Sequence, residues 1–340
     1  MIKTPFASVL TGSGSAFPER VLTNQGLVKQ LAESGIETNE DWIFQRTGIR
    51  ERRISNPKNP QETNSSLAAL ACTRALEMAG RSVSEMDFII MATSTADQLL
   101  PTSACMVQAK LNAPQAWALD VSAACAGYAY ALAMADGLIR SGMTQRGLVI
   151  GSDVLSSITN WKDRGSCILF GDGAGATVVE QTAFESKSRI LSSRMWSDGT
   201  QTSMLEIKAG GSAEVWSPEA EAAGRTRMTM NGREVFKVAV KTMGDLAIET
   251  LNDNQLTPAD LHWFIPHQAN MRIIEALSTR MDFPLEKIIV NIDRFGNTSA
   301  ATIPTAFDEA LRAKKIKKGD LVLFDGFGAG FTAATNLLRV

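Results

Sequence analysis

The chain has 340 residues, 44% of them hydrophobic, and 34 basic side chains against 36 acidic ones leave a net charge of −2. That length and apolar content bury a large core and fit two domains or one duplicated fold. The near balance of charge excludes the basic footprint of a nucleic-acid binder, so an anionic partner has to meet a local patch.

The opening stretch "MIKTPFASVLTGSGSAF" lacks the apolar core and cleavage site of a signal peptide, and no apolar run reaches the roughly 18 residues of a membrane span. A cytoplasmic protein away from the membrane is expected. Within that stretch "GSGSAF" resembles a dinucleotide loop, but Phe17 stands where the third glycine belongs. "GDGAGA" (171 to 176) and "GFGAGF" (326 to 331) lack the Lys-Ser/Thr ending of a phosphate loop. Tight turns, or close approach of backbone to backbone, are the expected roles of all three.

Short β-rich runs such as "RGLVIGSD" and "DLVLFDGF" alternate with longer helical patterns such as "SSLAALACTRALEMAG" and "ACAGYAYALAMADGLIRSG", which predicts an α/β fold with buried strands. "ALEMAGRSVSEMDFIIMATS" and "IETLNDNQLTPADLHWFIPHQA" both run helix, polar loop, apolar strand, and each is followed by a helix, a basic turn and another strand. The chain therefore reads as duplicated, with halves 1–180 and 181–340. Residues 207 to 227, rich in Gly, Ala, Ser and Glu, read as a long loop that either covers a site or sits inert on the surface.

Four cysteines, Cys72, Cys105, Cys125 and Cys167, are scattered without CxxC pairing, so no zinc site or disulfide framework is expected. Cys125 lies between "WALDVSAA" and an alanine-rich helical run, which puts its sulfur at a helix N-terminus where the partial positive charge favours thiolate. Of the two histidines, His262 opens a strand and reads as structural, whereas His267 in "FIPHQANMRI" follows a strand beside two amides. Asn297 in "DRFGNTSAATIP" opens a small-residue helix, as either a cap or a site residue.

Together "AACAGYAYAL", "PHQANMRII" and "GNTSAATIPTAFDEAL" resemble the three active-site motifs of the β-ketoacyl-[acyl-carrier-protein] synthase III family. "GSGSAFPERVLTN", "DWIFQRTGIRERR", "ATSTADQLLPTSACMVQ", "IGSDVLS", "DRGSCILFGDGAGATVV", "GREVFKVAV" and "GFGAGFTAAT" match the family in order, so the likeness covers nearly the whole chain. It implies the thiolase-like fold, a duplicated five-layer αβαβα arrangement, in a homodimer. The implied reaction is a decarboxylating condensation of a short acyl-CoA with malonyl-[acyl-carrier-protein], without metal or redox cofactor.

By the same resemblance Cys125 is the nucleophile, His267 and Asn297 stabilise the enolate, and the backbone N–H groups of Cys125 and Ala329 form the oxyanion hole. Trp42, Arg46 and Arg164 are implied to hold coenzyme A, and Arg272, Lys237 and Arg280 to dock the acidic carrier protein. Leu100, reaching across the dimer interface, and Phe327 are implied to line the acyl pocket. The chain departs from the family at Ala329, where glycine is common, and at Arg233, commonly neutral.

Cys125, His267 and Asn297 also occur in the order of a papain-like hydrolase, with His267 142 residues after Cys125, inside the rough 130 to 150 residue window of that family, although the "CGSCW" flanks are missing. A relative that only transfers acyl groups, or condenses them onto another acceptor, carries the same residues, and the sequence leaves that reading open. A non-catalytic binding module would leave the polar triad without a purpose.

Overall fold

The computed structural model describes residues 5–340. Nine strands build two sheets: β1 (Phe6–Ala16), β2 (Phe88–Ala92), β3 (Trp117–Val121), β4 (Arg146–Val154), β5 (Asp172–Ala183), β6 (Arg189–Ser197), β7 (Trp263–Pro266), β8 (Leu321–Gly328) and β9 (Thr332–Arg339). The first sheet runs β1-β5-β4-β2-β3 and the second β6-β9-β8-β7. In both, the first three strands pair antiparallel and the third pairs parallel with the fourth. The edge partner that β3 supplies in the first sheet shrinks in the second to a single parallel bridge, Phe264 to Ile288. The chain passes from one sheet to the other between Ala183 and Arg189.

Alternation along the strands explains the layering. Phe88, Ile90 and Ala92 of β2 point into a central core with Tyr128, Phe307 and Phe324, while Ile89 and Met91 point into an outer core with Leu67, Ala71 and Val107. Val322 and Phe324 of β8 likewise face the centre, and Leu321, Leu323 and Phe327 face a second outer core. Strands covered on both faces read as continuous apolar runs, as the sequence shows.

Six helices matter for the site: α1 (Glu40–Thr47), α2 (Asn64–Ala79), α3 (Gly127–Arg140), α4 (Gly232–Asp253), α5 (Met271–Met281) and α6 (Thr302–Arg312). Helices α3 and α6 lie between the sheets, α2 covers the first sheet, and α4 and α5 cover the second. This is the duplicated five-layer αβαβα fold. It differs from the turn reading of the glycine clusters and fits the alternative of close backbone approach, because Gly12, Gly14, Gly173, Gly175, Gly326 and Gly328 lie inside strands. The reason is close approach across layers, since a Cβ on Gly12 would sit 2.3 Å from the carbonyl oxygen of Ala75 in α2. Among the described residues, no helix is long and apolar enough to cross a membrane.

Candidate active site

Cys125 sits in a 3₁₀ turn, Ala124–Ala126, that runs directly into α3. Ala124 just before it has φ +46, a left-handed conformation that alanine rarely adopts. The end of β8 comes so close that a Cβ on Gly328 would lie 2.5 Å from the Cys125 nitrogen. Glycine is required there by distance. Ala329 follows without a positive φ, and Gly330 takes the unusual one at +136, so alanine at 329 carries no backbone strain. Among the described residues, neither the Cys125 nor the Ala329 N–H has a backbone acceptor.

His267 is placed by Pro266, which ends β7, and its own N–H continues the ladder to the Asp325 carbonyl at 2.8 Å. Its ring Nδ1 lies 2.7 Å from the Thr302 hydroxyl oxygen, and the residue is only 3% exposed. Asn297 hydrogen-bonds through its backbone to Leu169 and Gly171, and its side-chain Oδ1 accepts the Ser299 N–H at 2.8 Å. It therefore caps the next turn with its oxygen, while its amide NH2 has no partner among the described residues. His262 is structural, as read: its Nδ1 accepts the Leu321 N–H at 3.1 Å.

One cavity of about 770 Å³ is lined by Cys125, His267, Asn297, Ser299, Phe327 and Ala329, and reaches a mouth bordered by Arg46, Arg233, Lys237 and Arg272. Ile207, Met228 and Met230, at and beyond the ends of the long loop, also line it, whereas Val215 and Trp216 in that loop are exposed. Asn39 caps α1 by accepting the Trp42 N–H at 2.8 Å, and left-handed Gly48 ends that helix. This helix presents Trp42 half-buried beside the mouth, with the Arg164 guanidinium 4.5 Å and that of Arg46 5.4 Å from its ring centre.

The basic residues divide. Arg272 is exposed and has no acidic partner among the described residues, whereas Lys237 pairs with Glu234 at 2.8 Å and Arg280 pairs with Asp245 away from the cavity. Leu100 is 82% exposed on the loop after β2 and does not line its own chain's cavity. Among the described residues, no group of three or more His, Cys, Asp or Glu is placed to hold a metal ion.

Electrostatics at the site are governed by burial. It pushes the Cys125 thiol up to about 12; a hydrogen bond from Ser299 opposes the rise and the buried Asp153 charge adds to it. The helix terminus favours thiolate, whereas desolvation, the largest cause of the upward shift, favours the neutral thiol. Burial also holds His267 down at about 3, so its ring is neutral.

That shift fixes a pH dependence. An unfolded histidine takes up a proton below its ordinary 6.5, whereas folded His267 does not until about 3. The unfolded state binds the extra proton throughout that window, so stability falls as pH drops through it, by up to about 1.4 kcal/mol per pH unit for one group. Buried Asp172, raised to about 6, acts with the opposite sign. The comparison of urea midpoints at pH 7 and pH 5 between wild type and His267→Gln isolates the histidine: the variant is expected to lose less stability in acid. Equal losses would mean that His267 titrates normally.

The comparisons with known proteins agree with this geometry. Residues 119–199 match the family model described as 3-oxoacyl-[acyl-carrier-protein (ACP)] synthase III, and residues 251–340 match its C-terminal counterpart. The β-ketoacyl-[acyl-carrier-protein] synthase III of Caldanaerobacter subterraneus subsp. tengcongensis is 46% identical over 333 residues, covering 98% of each chain. The chain belongs to the β-ketoacyl-[acyl-carrier-protein] synthase III family. It is a condensing acyltransferase that joins acyl-CoA to malonyl-[acyl-carrier-protein] at the start of fatty acid synthesis.

The crystal structure of 3-oxoacyl-[acyl-carrier-protein] synthase III from Aquifex aeolicus superposes with a TM-score of 0.88 at 42% identity, over 98% of this chain and 100% of that one. The priming β-ketosynthase of the R1128 polyketide pathway gives 0.89 at 33% identity, over 100% of this chain and 98% of that one. The fold excludes the papain-like reading. Sequence reasoning missed Ser299 and Thr302, which touch the site; both were hidden in a run that reads only as a small-residue helix start.

Proposed function

We propose that Cys125 carries the acyl group and that His267 and Asn297 serve the malonyl half of the reaction. The supporting observation is that these three side chains line one cavity together with Ala329, and that neither the Cys125 nor the Ala329 N–H has a backbone acceptor among the described residues. Cys125 attacks the thioester carbon of acyl-CoA, the N–H pair holds the oxyanion, and the thiol proton passes to the departing coenzyme A sulfur. A weakly acidic thiol suits this exchange, because one thiol replaces another with no net proton.

In the second half, the malonyl thioester oxygen lies between the Asn297 amide and the His267 Nε2, which stabilise the enolate as CO2 leaves. The enolate carbon attacks acyl-Cys125, and the expelled sulfur takes one proton from solvent. Arg164 and Trp42 would part to admit the adenine, which stacks on the indole face, and Arg46 meets phosphate. Unpaired Arg272 at the mouth is the strongest of the three docking candidates for an acidic carrier protein; Lys237 and Arg280 already have acidic partners.

A homodimer gives exposed Leu100 its role, closing the partner's acyl pocket. Leucine leaves more room than phenylalanine, and a methylene is worth about 1 to 3 kcal/mol of discrimination. Leu100→Phe is expected to narrow use of butyryl- and isobutyryl-CoA relative to acetyl-CoA in kcat/KM. An unchanged profile would remove Leu100 from the pocket. Incubation with acetyl-CoA and malonyl-[acyl-carrier-protein], following CO2 and acetoacetyl product, tests the whole proposal. Acyl transfer without CO2 release would point instead to a transferase that has lost condensation.

A further inference from the structure

Arg52 is fully buried on Glu51–Arg53, a short strand paired antiparallel with Val21–Thr23, and its guanidinium donates to no carboxylate. It donates instead to the Ile168 carbonyl at 2.8 Å, the Asn24 Oδ1 at 2.8 Å and the Leu22 carbonyl at 3.3 Å. Burial lowers its pKa to about 10, so it remains a cation at neutral pH. A buried charge held by neutral acceptors alone is costly. The Ile168 carbonyl in turn has no backbone donor among the described residues, because residues 166–171 belong to no helix and meet a strand-like partner only in the bridge from Phe170 to Asn297. That bridge carries Asn297: its N–H donates to the Leu169 carbonyl at 2.8 Å, and its carbonyl accepts the Gly171 N–H at 3.0 Å. Arg52 packs against the same segment, since a Cβ on Gly171 would come 3.1 Å from the Arg52 Cβ and one on Gly296 3.3 Å.

We infer that Arg52 is a positioning residue for the condensation half: by holding the Ile168 carbonyl it fixes the 168–171 segment, and with it the place from which Asn297 presents its NH2 to the malonyl thioester. Arg52 does not itself line the cavity, whereas Ile168, Leu169, Phe170 and Asn297 do. Without that donor the buried Ile168 peptide has to turn to find another, and Asn297, bonded to the next residue, moves with it. The inference rests on the proposed role of Asn297, and adds that the role depends on a guanidinium outside the cavity.

A double-mutant cycle makes the test direct. Arg52→Met keeps an unbranched apolar stem and removes the charge with its donors, a kind of replacement that buried ions often tolerate. It is expected to slow malonyl decarboxylation and condensation roughly 10- to 10²-fold in kcat, the scale of a displacement of up to 1 Å at a reacting group. Acylation of Cys125 and the KM for acetyl-CoA are expected to stay near wild type. Arg52→Lys keeps the charge and a donor and is expected to fall between the two, so the same cycle is run on it where the methionine variant does not fold. In the Asn297→Ala background Arg52→Met is expected to add nothing, because its effect runs through the amide already removed. An additive cycle, an equal fall in both half-reactions, or wild-type condensation in Arg52→Met would overturn the inference. Asn297→Ala condensing at the wild-type rate would instead overturn the reading of the site beneath it.

Discussion

Asn297→Ala is expected to leave Cys125 acylated by acetyl-CoA yet to slow malonyl decarboxylation and condensation by about 10²- to 10³-fold, the cost of removing one oxyanion donor. The split follows from the placement of the groups. Cys125 and the N–H pair belong to the helix-entry turn and the β8 turn, whereas Asn297 stands on a separate segment held by Leu169 and Gly171. Its oxygen is occupied by the Ser299 N–H, so only its NH2 can reach substrate. His267→Ala should show the same split. Intact-mass measurement of the acyl-enzyme, beside CO2 release, separates the two halves. Condensation at the wild-type rate in Asn297→Ala would reduce that residue to a cap.

Gly328→Ala is expected to damage the first half-reaction itself. The new Cβ would lie 2.5 Å from the Cys125 nitrogen, 3.0 Å from the Ala124 Cβ and 3.0 Å from the Ala126 nitrogen, all parts of the turn that carries Cys125. Neither side yields easily, because β8 is paired along its length and Ala124 is already left-handed. Overpacking of this kind costs about 1 to 3 kcal/mol of stability. A displacement of 1 Å at the reacting group costs on the order of 10²-fold in rate. The acylation rate and the urea midpoint report the two effects. Gly137→Ala in α3, where nothing lies within 4 Å of the added Cβ, is the matched control and is expected to be neutral or slightly stabilising. Wild-type acylation in Gly328→Ala would mean that the β8 turn does not set the position of Cys125.

What the sequence makes legible is local. β4 and β8 stand out because both faces of each are largely buried, so most positions are apolar or glycine, with the buried carboxylates Asp153 and Asp325 as exceptions. The Asn39 cap and Gly48 stop around Trp42 are equally local signals. What it hides depends on residues far apart in the chain. Gly12 reads as part of a turn because its true constraint, the carbonyl of Ala75, lies 63 residues on and one layer away. Arg280 reads as a free docking charge because its partner, Asp245, belongs to a different helix. The helix-terminus argument for Cys125 is sound but incomplete, since the desolvation that raises the thiol comes from packing that no sequence window contains. Thr302 is the same case: nothing in "TSAATIP" shows that a histidine 35 residues earlier lies against its hydroxyl.

The most direct test of the account is to find where the acyl group sits. The protein is mixed with acetyl-CoA alone, digested, and the four cysteine-containing peptides are weighed. Malonyl-[acyl-carrier-protein] is then added to a parallel sample before digestion. The account predicts one acetyl group, on the peptide carrying Cys125, that disappears on addition of the malonyl carrier as acetoacetyl-[acyl-carrier-protein] forms. Acetyl on Cys72, Cys105 or Cys167 with Cys125 unmodified, or condensation proceeding in Cys125→Ala, would contradict it.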